Sequence, residues 1–138
     1  MKRFIYLLTL ALLTFFVYGC EKNTYFQTES GVKKKIERRW HLVRVSEAQP
    51  IEDWSFAEGR VYRISVSNPS KPDTVDVGNY QINTTLSDAY LIVSDFKQVS
   101  YHYNTKYTIE QINEDYLTIF GNDQTNGAGT IYREFTAN

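Results

Sequence analysis

Cysteine and histidine are almost missing from this chain. Its 138 residues hold one cysteine, Cys20, and two histidines, His41 and His102. Without a second cysteine there is no disulfide framework, so the core alone must hold the domain. Two histidines far apart in sequence do not make the converging ligand set that a metal site needs. Each is expected to be a solvated or hydrogen-bonded strand residue. Asp123, Asn126 and Gly127 lack the spacing and the closing glutamate of a calcium loop. Gly-x-Ser-x-Gly and Walker-type patterns are absent as well. The acidic pairs (Glu52-Asp53, Asp73 with Asp76, Glu114-Asp115) fall at expected turns, where solvated carboxylates are ordinary. The chain is therefore expected to be no enzyme and to use no cofactor and no metal. A formal net charge of −1 gives no case for nucleic acid as a partner.

Long apolar runs are also scarce, and the one exception is at the start. Lys2 and Arg3 precede a charge-free stretch from Phe4 to Val17. A basic opening, an apolar run and a small residue before the cut have the form of a secretory signal. The run falls short of the roughly 20 apolar residues that a membrane span requires. It ends in Val17-Tyr18-Gly19-Cys20, which resembles the lipobox of bacterial lipoproteins. That resemblance implies a diacylglycerol on the Cys20 thiol and loss of residues 1–19 as a signal peptide. It also implies attachment to a bacterial membrane, in the cell envelope on the periplasmic side of the outer membrane. Two or more acyl chains make such an anchor stable, at about 0.8 kcal/mol per buried methylene. Residues 20–31 are polar and read as a lipidated tether. Residues 32–138 suffice for one domain.

Within that domain a short helix is expected over Val32 to Arg39, because Val32, Ile36 and Trp40 fall at i, i+4 and i+8. Ser30 or Gly31 is the expected cap, and Trp40 should lie in the core beneath the helix. Lys33, Lys34, Lys35, Arg38 and Arg39 cover the remaining face. They are either a solvated surface or, this close to a lipid, a patch for anionic head groups. From Trp40 the apolar period becomes two. Strands are expected at Trp40 to Val45, Trp54 to Phe56, Arg60 to Val66, Thr74 to Asn83 and Tyr90 to Ser94. A bulged turn through Ala57-Glu58-Gly59 should join the second and third, and Gly78 should mark a bulge or bend. The segment from Tyr101 to Gln111 alternates throughout, and its length calls for a break near Asn104. Tyr116 to Phe120 and Thr130 to Thr136 complete the set, around a loop at residues 121–129. The predicted fold class is all-β: an eight-stranded antiparallel up-and-down barrel with a short N-terminal helix. Eight strands enclose packed side chains or one small ligand.

The helix leading into Trp40-His41-Leu42-Val43, with Trp54-Ser55-Phe56, Gly59 and Tyr62, resembles the bacterial lipocalin-like lipoproteins. So do Gly78-Asn79-Tyr80-Gln81-Ile82, Tyr107-Thr108-Ile109-Glu110 and Tyr132-Arg133-Glu134-Phe135. Two functions stay open. One is a binding module for a small apolar or amphipathic ligand, held by a wall of Tyr62, Tyr80, Tyr101, Tyr103 and Tyr107. Parity supports that wall: Tyr62 is in step with Ile64, Tyr80 with Ile82, and the other three with Ile109. The other is a non-catalytic envelope interaction or assembly lipoprotein that works through its outer surface. An open interior favours the first and a filled one the second.

Overall fold

The computed structural model describes residues 27–98, 102–123 and 129–138; Cys20 and Tyr101 lie outside the described residues. Helix α1 (Glu29–Ile36) leads into β1 (Arg39–Leu42), β2 (Glu52–Ala57), β3 (Arg60–Ser65) and β4 (Asp73–Thr84). β5 (Ala89–Ser94), β6 (Lys106–Ile112), β7 (Tyr116–Asp123) and β8 (Gly129–Ala137) follow. Each strand pairs antiparallel with the next, and β1 closes on β8 through Trp40–Ala137, His41–Thr136 and Leu42–Phe135. This is the eight-stranded antiparallel barrel that the alternation predicts.

The helix starts three residues earlier than its apolar period suggests. Thr28 is the cap, its hydroxyl accepting from the Gly31 amide at 3.2 Å, so neither Ser30 nor Gly31 has that role. Val32 and Ile36 seat α1 on the barrel. Trp40 is fully buried beneath it and donates its indole proton to the Ile36 carbonyl at 3.0 Å. β1 stops at Leu42, and Val45 is solvent-exposed beyond it.

The β2–β3 connection is tighter than expected. Ala57 pairs with Arg60, leaving only Glu58 and Gly59 in the turn, both with positive φ (50° and 79°). Such a two-residue turn matches the twist of its strands, and glycine adopts its second position without strain. Its register decides the faces of β3. Phe56 is opposite Val61 and Trp54 opposite Arg63, so Val61 and Arg63 point inward with the aromatics. Tyr62 and Ile64 point outward, against the parity expected for them.

Gly78 is not a bulge. A side chain there would meet the Ser94 carbonyl at 2.5 Å and the Phe96 ring at 3.1 Å, so its role is to admit that close approach. The bulge in β4 is at Val75, skipped between the Arg63–Asp76 and Ile64–Thr74 pairs. A second bulge, at Glu110, turns Gln111 out and Ile112 in, so Gln111 leaves the face it was expected to share with Tyr107 and Ile109. The break expected near Asn104 is present. β6 begins only at Lys106, and the Asn104 side chain clamps Phe96, accepting from its amide (2.9 Å) and donating to its carbonyl (2.8 Å).

Candidate functional site

Trp54 sits at the middle of the barrel interior. Its ring meets Phe135 (5.3 Å between centroids), Phe96 (5.7 Å), Tyr103 (5.7 Å) and Phe56 (6.1 Å). Toward α1 the interior is apolar, filled by Trp40, Phe56, Tyr80, Ile82, Ile109, Leu117 and Phe135. Toward the opposite mouth the same parity brings in charge. Glu52 and Arg63 are each 1% exposed. Arg63 grips the Glu52 carboxylate through Nη2 (2.6 Å) and Nε (3.2 Å), and the Trp54 indole donates to the same carboxylate at 2.9 Å. The remaining Arg63 donors reach Gln98 Oε1 (2.8 Å) and the Tyr103 hydroxyl (2.8 Å), with Asp76 at 3.8 Å. A buried ion pair is tolerated only with its hydrogen-bonding groups satisfied in this way.

The residues around Tyr103 close this mouth. Asp76 accepts from the Gln98 amide (2.9 Å) and the Lys97 amide (3.3 Å), and from its neighbour Val77 (2.9 Å). Burial pushes the Asp76 carboxyl up. Those three amides and Arg63 more than offset it and hold the group below its ordinary value of 3.8. Tyr103 lays its ring under two guanidiniums, Arg63 at 3.6 Å and Arg133 at 4.8 Å from the ring centre. Burial and the Glu52 carboxylate push the Tyr103 hydroxyl well above its usual range, against the opposing pull of Arg63 and Arg133.

Three of the five tyrosines proposed as a ligand wall therefore line the interior. Tyr80 donates to Glu37 at 2.9 Å, and its hydroxyl is pushed upward by burial and by that carboxylate. Tyr107 contacts the carbonyls of His102 (3.0 Å) and Tyr103 (3.1 Å) and accepts from Arg133 Nε at 3.4 Å. Tyr62 lies on the outer surface, and Tyr101 and Cys20, the residue expected to carry a lipid, lie outside the described residues. The interior charges Glu52, Arg63 and Arg133 escaped the sequence reading. The Glu58-Gly59 turn was the available signal, because its two-residue register sets Arg63 opposite Trp54.

The outer surface carries features of its own. Tyr90, Thr108, Phe120 and Tyr132 are successive cross-strand partners, giving one row across four strands. A separate cleft of about 400 Å³ is lined by Arg60, Tyr62, Val75, Val77 and Lys97. At the start of β1, Asp53 is buried beneath His41 (Nδ1 to Oδ1, 2.7 Å), Arg39 (2.6 Å) and Asn138 (2.7 Å), tying β1, β2 and the C-terminus together. His41 is thus a hydrogen-bonded strand residue, as expected.

Compared with known proteins, the chain matches no family model, no curated protein and no solved structure.

Proposed function

We propose that this chain is a lipid-anchored, lipocalin-like lipoprotein of the bacterial envelope that works through its outer surface, without catalysis. The observation that carries this reading is Tyr103. Its ring is packed between Arg63, Arg133 and Trp54, and its hydroxyl is bound by Arg63 in the mouth where a ligand would enter. The hydroxyls of Tyr80 and Tyr107 are likewise engaged by protein groups rather than aimed at open space. A wall whose polar tips are consumed internally is a core, and what remains for recognition is the outside.

Orientation follows from where the chain enters. A lipid on Cys20 tethers the protein at the α1 end. The loops at residues 43–51 and 66–72 and the described residues 95–98 and 102–105 then project from the opposite end, away from the membrane. The cross-strand row and the Val75–Val77 cleft lie on the barrel's side, within reach of a neighbouring envelope protein.

A second reading, a barrel for a small amphipathic anion, is favoured by one observation: Arg63 and Arg133 both face the interior around Tyr103. It requires Tyr103 to leave the mouth. Native mass spectrometry of protein extracted from membranes separates the two. The surface reading expects the chain from Cys20 plus its lipid and nothing else. A stoichiometric small molecule whose retention depends on Arg63 overturns it in favour of the second reading. Lipidation has its own test: Cys20→Ser is expected to move the protein to the soluble fraction or to stall its processing. A wild type that is cleaved elsewhere and soluble without detergent refutes the anchor.

A further inference from the structure

We infer that the α1 end of the barrel is an electrostatic docking surface for an anionic lipid bilayer, an inference that rests on the lipid anchor proposed above. Lys33, Lys34 and Lys35 are consecutive and exposed in the last turn of α1. Val32 and Ile36 face the core, so Lys34 lies opposite the buried stripe and Lys33 and Lys35 flank it. Lys33 is 3.9 Å from Glu37, and both side chains are substantially exposed, which makes that pairing weak. Lys34 and Lys35 have no ion-pair partner among the described residues. Two other cations nearby are committed, Arg38 to the Glu114 carbonyl at 3.0 Å and Arg39 to Asp53, while Arg60 is exposed in the β2–β3 hairpin.

Cations in the last turn also suit the helix dipole. The dipole does not account for what shares this end. Leu86, on the β4–β5 turn, is 83% exposed, the most of any large apolar side chain among the described residues. Tyr116, at the start of β7 beside the β6–β7 turn, is 45% exposed. A basic helix beside an apolar tip and an exposed tyrosine is the composition of a surface that rests in a bilayer interface.

Tether length makes the contact accessible. The stretch from Cys20 to the cap Thr28 reaches at most about 28 Å when extended, so α1 is the first element within range of a lipid-held Cys20. Screening confines attraction to about 8–10 Å from the surface, which limits docking to this end. Glu29, Glu37, Glu58, Asp88, Glu114 and Asp115 are exposed here too. They oppose docking, and Asp88 lies two residues from Leu86, so the contact is expected to centre on the lysine face of α1.

The test uses the full lipidated protein in nanodiscs of phosphatidylcholine alone or with phosphatidylglycerol, read by amide hydrogen exchange. Docking expects exchange at α1 and at residues 84–88 to slow only in the anionic discs, and the protection to vanish at high salt. Each unit of charge near such a surface is worth about fivefold, so Lys34→Glu, a change of two units, should lower the docking equilibrium constant about twenty-five-fold. Lys71→Glu, at the far end, should leave it unchanged. Equal protection in both discs, no protection in either, or a matching loss in Lys71→Glu overturns the proposal. Retention on phosphatidylcholine discs at high salt reports the anchor separately, so loss of the anchor and loss of docking are distinguishable.

Discussion

At the end where the chain enters, Val32 and Ile36 close the barrel over Trp40 with an apolar lid whose polar contacts include the indole bonded to the Ile36 carbonyl and the Tyr80 hydroxyl bonded to Glu37. At the opposite mouth, Glu52, Arg63, Asp76, Gln98 and Tyr103 close it with charge, each group held by others of the same set. Both closures exclude water, but they fail differently. Apolar packing degrades in proportion to the volume removed. A charged network loses little if removed whole and much if halved, because half of it leaves an uncompensated buried ion.

That contrast yields an ordered set of expectations. Trp40→Ala should be the most damaging, at about 4 kcal/mol, measured as a shift in denaturant midpoint with the slope unchanged. A variant that melts like the wild type would remove Trp40 from the core. Glu52→Gln should cost about 3 kcal/mol because Arg63 loses its main counter-charge. The Glu52→Leu/Arg63→Met pair should recover most of that loss, and a double-mutant cycle that proves additive would dissolve the distinction between the two ends. Tyr103→Phe should cost about 1–2 kcal/mol, the penalty for leaving a buried polar partner unmet. Hydrogen exchange should report that loss around Phe96 to Gln98 and Tyr103 to Asn104, and leave α1 untouched.

The smallest effect is pH-dependent and confined to the charged mouth. The Asp76 carboxyl is held below its ordinary 3.8 in the folded state. Its ionised form therefore contributes stability that is fully present above that value and is lost as pH falls through the depressed one. Thermal melts of the wild type should fall more steeply below about pH 4 than melts of Asp76→Asn, which lacks the titrating group. Parallel acid profiles would show that Asp76 does not tie the mouth closed.

Elements fixed by local chemistry were readable in the sequence. The i, i+4 spacing of Val32 and Ile36 announced the helix above Trp40, and the parity of Tyr80 with Ile82 held because no bulge lies between them. The break at Asn104 followed from length alone. What escaped depended on register. Parity with Ile64 puts Tyr62 inside and so Arg63 outside, yet that face is set by the two-residue turn and by Trp54 across the strand pair. The Val75 and Glu110 bulges each insert one residue with no compositional mark, and each resets which neighbours face inward. The mouth was hidden for the same reason, since Glu52, Asp76, Gln98 and Tyr103 are remote in sequence and meet only once the barrel closes.

If the chain is held on a membrane as proposed, closure of β1 onto β8 has a consequence for its copies. Tethered copies share a thin layer and meet far more often than the same number free in solution. An open sheet would offer each neighbour a row of unmet amides and carbonyls, and crowding would turn chance encounters into strand exchange. Here every strand already has two partners. Copies of this barrel can be packed densely side by side without a free strand edge to exchange.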